Sequence, residues 1–352
     1  MSSFGERSRR RPGVLALALV LALAGCATDS DRPDAAPPSR GSSGTGGGTG
    51  TATAAPGTRE QLRVDGDVRQ YLLHRPAATP ASSAADGPRP LVVAFHGRGA
   101  DAAELRAKTR LEKAATARGM LVAFPEGLGH GWGAGTRATK QRPDPDLDVR
   151  FTEALIKHLV RTERADPERI YVAGFSNGGS MALRMAAERP ALLAGAASVS
   201  GQLPTGDAAV EPTGPVPVMV VYGADDPVRP LAGLPTPPPD PEEPILPTRS
   251  ARDTAAAFAA AAGAGEPVTR EEKGYDRTVW RLRADAPDAP GAPDGDRRPD
   301  GTVQLLVVHD AGHTWPGSTV PPPEGFGPVG KALDATDTIL DFFADPAPGP
   351  GR

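Results

Sequence analysis

Five short, largely apolar runs separate stretches with helical periodicity, and this arrangement constrains the fold more than any other feature of the sequence. The runs span residues 91–95, 120–124, 169–173, 216–222 and 303–308. They lack the regular alternation of polar and apolar side chains that marks a strand with one face in water. Strands of this type are usually covered on both faces, as they are in a parallel sheet.

Helical patterns lie between these runs. They span residues 105–118, 151–164, 178–189 and 252–262, and the last two stop at Pro190 and Gly263, which are common helix terminators. Alternating strands and helices are typical of the doubly wound α/β class. The sequence therefore predicts a mostly parallel central sheet with helices on both of its faces.

The first 25 residues resemble an export signal. Several arginines precede an apolar stretch at 14–24, which is too short to cross a bilayer core of about 30 Å as a helix. The segment Leu23-Ala-Gly-Cys26 follows, and it resembles the lipobox of bacterial lipoproteins. We expect residues 1–25 to be removed and Cys26 to carry a lipid that anchors the protein to the extracellular face of the cell membrane.

Four further segments can be assigned from composition. Residues 26–58 lack large apolar side chains after Cys26 and are expected to form a disordered tether, since nothing there offsets the entropy of ordering. A catalytic domain is expected at 59–345, followed by a flexible tail. Two segments rich in proline, glycine or aspartate, at 231–247 and 284–301, are expected to be disordered excursions from that domain.

Charge and cysteine content exclude several classes of protein. The formal net charge is −4, which disfavours a strongly basic nucleic-acid-binding protein. Cys26 is the only cysteine, so the chain forms neither an internal disulfide nor a cysteine-based zinc site.

A candidate nucleophile follows the third apolar run. Gly174-Phe-Ser176-Asn-Gly178 has the Gly-x-Ser-x-Gly pattern, and a helical pattern comes directly after it. This order of strand, sharp turn and helix is the context that the motif requires. The two glycines leave room for a strained turn that exposes the serine, so Ser176 is the predicted nucleophile.

A serine needs a base, and the base needs an acid that orients it. His313 lies in a loop beyond the last apolar run, whereas His309 directly ends that run, so His313 is the predicted base. Asp225 and Asp226 both follow the fourth apolar run, between the nucleophile and the base in chain order. Asp226 is the preferred acid, and Asp225 remains the alternative.

The transition state also needs donors for its negative charge. The turn at 96–99 follows the first apolar run, and its backbone N–H groups could face an oxyanion. The predicted donors are the backbone N–H groups of Arg98 and of Asn177, which begins the helix after the nucleophile.

Three of these motifs resemble a known family. They are Gly174-Phe-Ser-Asn-Gly-Gly-Ser-Met181, Phe95-His-Gly-Arg-Gly99 and Gly312-His-Thr-Trp-Pro-Gly317. They are similar to motifs of the polyhydroxybutyrate depolymerase-like and LpqC-type esterases, which are related to the feruloyl and acetylxylan esterases of carbohydrate esterase family 1. The stretches at 148–151 and 166–172 also resemble that family.

The resemblance covers roughly residues 60–342. It implies an α/β-hydrolase fold with a Ser176–His313–Asp226 triad that hydrolyses carboxylic esters through an acyl-enzyme, without a metal or an organic cofactor. The expected partners are feruloyl or acetyl esters of polysaccharides, or hydroxyalkanoate esters. Trp132 and Trp315 are candidates for an aromatic wall that contacts substrate.

Two other functions remain open at this point. The same fold could transfer an acyl group to an envelope glycan or lipid instead of to water. A catalytically silent envelope-binding lipoprotein would also fit the sequence if the triad did not assemble.

Overall fold

The computed structural model describes residues 57–77, 87–237, 245–281 and 302–344. The expected signal peptide, Cys26, nearly all of the tether, the second excursion and the C-terminal tail lie outside these residues. None of the helices in the described ranges combines the length and apolar character needed to cross a membrane.

A ten-stranded sheet runs through the described residues in the order β1-β2-β4-β3-β5-β6-β7-β10-β9-β8. The strands are β1 (Thr58–Val64), β2 (Asp67–His74), β3 (Arg89–Phe95), β4 (Leu121–Pro125), β5 (Ala165–Phe175), β6 (Gly195–Val199), β7 (Val218–Gly223), β8 (Val268–Glu272), β9 (Tyr275–Trp280) and β10 (Val303–Val308). The six central strands pair in parallel, and the two strands at each edge pair antiparallel. The predicted mostly parallel sheet is therefore confirmed.

Each of the five apolar runs overlaps a central strand, β3, β4, β5, β7 or β10. The sixth central strand, β6, was not predicted, because its sequence Gly-Ala-Ala-Ser-Val is dominated by small residues. The edge strands were also not predicted. β8 is fully exposed and charged, so it carries none of the apolar signal that identified the others.

Helices cover both faces of the sheet. They are α1 (Ala102–Thr109), α2 (Leu111–Ala117), α3 (Leu147–Thr162), α4 (Asn177–Glu188), α5 (Ala251–Ala261) and α6 (Ala335–Ala344). Buried side chains of α3, α4 and α5 join one apolar core, and those of α1, α2 and α6 join a second. The predicted three-layer α/β arrangement is confirmed, and the sheet separates the two cores.

The helix predicted at 105–118 is two helices. Arg110 lies between them with a left-handed backbone (φ 52°), and its N–H donates to the Arg106 carbonyl. The Thr109 hydroxyl accepts the N–H of Leu111, which begins α2. The apolar periodicity continues across this break, so the sequence pattern did not reveal it.

The excursion predicted as disordered at 231–247 differs from that prediction at its described ends. Leu234 and Thr248 form an antiparallel bridge, with N···O distances of 3.3 and 3.1 Å. The Pro247 carbonyl accepts a hydrogen bond from Thr205 N at 2.9 Å. Backbone hydrogen bonds therefore order both ends of a segment that its proline content had marked as irregular.

Candidate active site

Ser176 lies in a sharp turn between β5 and α4. Its backbone has φ 56° and ψ −118°, a conformation that is costly for a residue with a side chain. Two hydrogen bonds stabilise the turn, from Ser176 N to Val199 O at 2.8 Å and from Ser180 N to Ser176 O at 3.0 Å. The turn projects the Ser176 side chain into a cavity at the end of the central strands.

The two glycines of the motif make this turn possible. A Cβ on Gly174 would collide with the carbonyl oxygen of Gly178, and a Cβ on Gly178 would collide with the carbonyl oxygen of Phe95. The obstacles are backbone atoms of neighbouring elements, which cannot rotate away. The small residues predicted around Ser176 are therefore a steric requirement of the packing between β3, β5 and α4.

Three side chains from three strand ends meet in this turn. Ser176 Oγ lies 2.8 Å from Nε2 of His313, and Nδ1 of the same ring lies 2.7 Å from Oδ2 of Asp226. The side chains of His313 and Asp226 are almost fully buried. A carboxylate next to Nδ1 retains a proton there and leaves Nε2 free to accept one from Ser176.

Asp226, and not its neighbour Asp225, contacts the histidine. The second carboxylate oxygen of Asp226 accepts the backbone N–H groups of Val228 at 3.0 Å and Arg229 at 2.7 Å. The Asp225 residue is exposed, while its backbone N–H donates to Ala311 O. These contacts fix the orientation of the Asp226 carboxylate and leave Asp225 outside the hydrogen-bonded chain.

The surroundings of His313 favour the neutral ring. Burial lowers the pKa of His313, and the hydrogen bond and charge of Asp226 act in the opposite direction. The ring packs beside the aromatic rings of Phe175 and Phe326, with centroids 5.1 and 5.2 Å away. A neutral imidazole is the form that can take a proton from a hydroxyl.

The turn at 96–99 lies directly beside Ser176. A Cβ placed on Gly97 would lie 3.5 Å from the Cβ of Ser176, and both Arg98 and Asn177 border the same cavity. The predicted oxyanion donors thus lie next to Ser176, the predicted nucleophile. Their role as donors of backbone N–H groups stays a prediction.

The His96 side chain holds this turn in place, a role that sequence reasoning missed. The ring is buried, its Nε2 accepts the N–H of Gly127 at 2.9 Å, and its Nδ1 lies 2.8 Å from the Gly97 carbonyl. Because Nε2 accepts a hydrogen bond, the proton belongs on Nδ1, which donates to Gly97. Burial lowers the pKa of His96, consistent with a neutral ring.

Asn177 and Trp132 connect the nucleophile turn to a second loop. The Asn177 side chain accepts the N–H of Trp132 at 2.7 Å and donates to its carbonyl at 3.1 Å. The Trp132 indole N–H donates to His96 O at 2.9 Å. Trp132 borders the cavity although it is only 3% exposed, so its contact with substrate stays a prediction.

Trp315 does not belong to the cavity wall. It is 2% exposed and packs in the apolar core that contains α1, α2 and α6, where its indole N–H donates to the Thr336 hydroxyl at 3.0 Å. The prediction that Trp315 contacts substrate is therefore wrong. Its neighbour His313 turns towards Ser176, whereas Trp315 turns into the core.

A buried ionic cluster holds the loop that carries Trp132. The carboxylate of Asp148 accepts hydrogen bonds from the guanidinium groups of Arg69 at 2.9 Å and Arg142 at 2.7 Å. It also accepts one from the backbone N–H of Gly133 at 2.8 Å. Arg142 also donates to the carbonyls of Leu128 and Gly131. This cluster of Asp148, Arg69 and Arg142 connects α3 and β2 to the cavity wall.

The cavity has a volume of about 650 Å³, which is sufficient for a small organic ester. The described ends of the first excursion contribute Leu234 and Leu246 to its wall, and Thr248, which follows the excursion, borders it too. Among the residues that the structure describes, no three His, Cys, Asp or Glu side chains are grouped so that they could hold a metal ion.

Comparison with known proteins identifies the family. Residues 140–234, which include the turn that carries Ser176, match a protein family described as phospholipase/carboxylesterase. The chain is 40% identical over 348 residues to a protein named "Putative esterase NocK" from Nocardia uniformis subsp. tsuyamanensis, and the match covers 95% of this chain and 98% of that protein. The chain therefore belongs to the same esterase family as that protein. The esterase is a serine hydrolase that acts on ester bonds.

Two further comparisons are narrower. The esterase is 31% identical over 154 residues to "Feruloyl esterase B" of Piromyces equi, covering 42% of this chain and 28% of that protein. Its fold resembles that of an acetyl xylan esterase from Aspergillus awamori, with a TM-score of 0.52, 16% identity and coverage of 82% and 99% of the two chains. The second likeness supports the α/β-hydrolase fold alone.

Proposed function

We propose that Ser176, His313 and Asp226 form the catalytic triad of this esterase. The observation that carries the proposal is the continuous chain of hydrogen bonds, 2.8 and 2.7 Å long, that opens into the cavity. Ser176 Oγ attacks the ester carbonyl carbon while His313 Nε2 takes its proton. The Asp226 carboxylate keeps the ring in the required tautomer and stabilises its cation.

The tetrahedral intermediate then collapses to an acyl-enzyme. Its oxyanion is stabilised by the backbone N–H groups of Arg98 and Asn177, aided by the N-terminal end of α4. His313 returns its proton to the departing alcohol as the C–O bond breaks. A water molecule then gives a proton to His313 Nε2 and attacks the acyl carbon. The bond to Ser176 Oγ breaks, His313 returns the proton to that oxygen, and the acid is released.

We propose a polyhydroxybutyrate depolymerase-like or LpqC-type enzyme that acts on feruloyl or acetyl esters of polysaccharides, or on hydroxyalkanoate esters. The motifs around Phe95, Ser176 and His313 support this class, and the names of relatives include feruloyl esterase and acetylxylan esterase. Trp132, at the edge of the cavity, is the candidate contact for a sugar or phenolic ring.

We also propose that the enzyme is secreted and anchored by a lipid on Cys26, so that it acts on the outer face of the cell membrane. The short apolar stretch and the lipobox-like segment that ends at Cys26 support this location. Radioactive palmitate should label the wild-type protein in producing cells and should not label a Cys26→Ser variant. Labelling of the variant would contradict the assignment.

Hydrolysis by purified wild type and by Ser176→Ala tests the proposed chemistry. The substrates are 4-nitrophenyl acetate, methyl ferulate, acetylated xylan and hydroxybutyrate oligomers. Ser250→Ala is a matched control, because Ser250 lies at the start of α5 and does not line the cavity. We expect the control to retain activity and Ser176→Ala to lose nearly all of it. Equal rates for Ser176→Ala and wild type would refute the proposal.

A further inference from the structure

The charges in the cavity wall are unevenly neutralised. Arg137 pairs with Asp207 at 3.1 Å, and Arg142 pairs with Asp148 at 2.7 Å, so a carboxylate balances each of these arginines. Arg229 and Lys108 also line the cavity. Among the described residues, neither of these two cations forms an ion pair with a carboxylate.

The guanidinium of Arg229 has a neutral hydrogen-bond partner. Its Nη1 donates to the hydroxyl of Ser180 at 3.0 Å, and this is its only side-chain hydrogen bond within the described ranges. Burial lowers the pKa of Arg229, because removing the cation from water costs free energy. The nearby charge of Asp226 opposes this effect on the pKa of Arg229. A half-buried guanidinium without a carboxylate in direct contact gains more from an incoming anion than one that is already paired does.

Lys108 supplies a second positive charge in the wall of the same cavity. Its ammonium nitrogen lies 4.4 Å from the centroid of the Phe175 ring, and Phe175 directly precedes Ser176. Burial lowers the pKa of Lys108, and the nearby charge of Glu104 opposes this effect. The aromatic ring thus holds this cation beside the reacting serine.

Arg229 is connected through Ser180 to the helix that follows Ser176. Its partner Ser180 follows Ser176 by four positions on α4, which corresponds to about one helical turn, or about 5.4 Å along the helix axis. The charges of Arg229 and Lys108 both lower the pKa of His313, although burial of the ring has the larger effect. The two cations therefore lie close enough to the base to act on it.

The wall around Arg229 is fixed by hydrogen bonds. Thr248 donates its hydroxyl to Gln202 Oε1 at 2.8 Å, and Gln202 donates its amide to Pro230 O at 2.9 Å. Gln202 also accepts the Ser180 hydroxyl at its backbone carbonyl. Arg229, Ser180, Gln202 and Thr248 thus form a polar corner of an otherwise mainly apolar cavity, which we call the Arg229 corner.

We propose that the esterase acts on esters that carry an ionised carboxylate, and that the Arg229 corner binds this group. A guanidinium presents parallel N–H groups that match the two oxygens of a carboxylate. Lys108 adds positive potential that attracts the same anion. The proposal rests on the proposed function, since the corner lies beside the serine that we assign as nucleophile.

Two pairs of esters with matched shape test it on the full chain. The first pair is the 4-nitrophenyl monoester of glutaric acid and 4-nitrophenyl pentanoate, which differ by a carboxylate on the acyl side. The second pair is the acetate of 4-hydroxybenzoic acid and the acetate of its methyl ester, which differ on the alcohol side. We expect kcat/KM to favour the charged member of at least one pair by about tenfold.

Variants of two arginines connect that preference to the corner. Arg229→Gln should abolish the preference for the charged ester, and Arg229→Lys should retain part of it. Arg137→Gln is the matched control and should keep the preference, because Asp207 already neutralises Arg137. In wild type, added NaCl should lower kcat/KM for the charged ester and leave that for the neutral ester nearly constant.

Three outcomes would overturn the proposal. They are a lack of preference for the charged member in both pairs, a preference that survives in folded Arg229→Gln, and a preference insensitive to salt. The salt series keeps the test decisive if Arg229→Gln fails to fold. If the enzyme hydrolyses the neutral esters through Ser176 but shows no preference for the charged esters, this proposal alone is rejected. If no ester is hydrolysed in a Ser176-dependent way, the proposed function is rejected as well.

Discussion

Oδ2 of Asp226 lies 2.7 Å from Nδ1 of His313, whereas the adjacent residue Asp225 is exposed. The two aspartates therefore form a matched pair for mutagenesis. Asp226→Asn should lower kcat by roughly 10⁴, because an amide at this position favours the wrong tautomer of the histidine. Asp225→Asn should stay within about threefold of wild type, since the side chain is outside the triad.

Steady-state kinetics of both variants with 4-nitrophenyl acetate provide the measurement. Circular dichroism should show that both variants are folded, since each replaces an aspartate by a residue of nearly the same shape. A larger loss in Asp225→Asn than in Asp226→Asn would reverse the assignment of the acid.

The pH profile should report the environment of His313. Burial, assisted by the charges of Arg229 and Lys108, lowers the pKa of His313 from its ordinary value of 6.5, despite the opposing effect of Asp226. The base must be neutral, so activity rises as pH increases through this pKa. We expect the acid limb of kcat/KM to have its midpoint below pH 6.5. A midpoint clearly above that pH would contradict the described burial of the ring.

Gly178 should not tolerate a methyl group. In Gly178→Ala the added Cβ would collide with the carbonyls of Phe95, which ends β3, and of His96, which follows it. Either α4 moves, displacing Ser176, or the fold is destabilised by roughly 1–3 kcal/mol, as in other overpacked cores. Gly87→Ala is the matched control, because a Cβ at Gly87 has no heavy atom within 4 Å among the described residues.

Activity and melting temperature of these two glycine variants give the comparison. The control should match wild type in both quantities, whereas Gly178→Ala should lose activity, stability or both. An active Gly178→Ala variant with unchanged melting temperature would be inconsistent with the close packing of α4 on β3.

Removing the Asp148 charge should destabilise the protein strongly. Its carboxylate is fully buried and is shared by Arg69 and Arg142, so Asp148→Asn leaves two buried guanidinium groups with a neutral partner. Breaking a buried ionic cluster in this way typically costs about 3–5 kcal/mol. Asp337→Asn is the control, because Asp337 is 61% exposed and its ion pair with Arg118 contributes little.

Urea unfolding of the two aspartate variants measures the difference. The midpoint should fall much further for Asp148→Asn than for Asp337→Asn. Equal midpoints would mean that the buried ionic cluster contributes little to the stability of the cavity wall.

Five of the six central strands, together with the side chains of Ser176, Asp226 and His313, could be identified from the sequence because they carry strong local signals. Strands buried on both faces show as uninterrupted apolar runs, and their carboxyl ends meet at one edge of the sheet. A serine between two glycines, an aspartate and a histidine at such strand ends are therefore expected to be neighbours. The sequence favoured Asp226 as the acid but left Asp225 as an alternative, since adjacent residues differ only in how the turn directs their side chains.

The walls of the cavity could not be predicted, because they depend on contacts between residues distant in sequence. Trp315, close to His313 in the sequence, was expected to contact substrate, but its indole N–H donates a hydrogen bond to the Thr336 hydroxyl in the core. The ring of His96 and the guanidinium of Arg229 acquire their roles only through partners such as Gly127 and Ser180. No local pattern encodes such partners.

The central claim is that Ser176 is the nucleophile, and covalent labelling tests it most directly. A fluorophosphonate reacts with an activated serine, and mass spectrometry of the digested protein locates the adduct. The triad predicts one phosphonate group per chain on Ser176 in wild type, much slower labelling in His313→Ala, and no adduct in Ser176→Ala. An adduct on a different serine, or a folded wild-type protein that resists the probe, would contradict it.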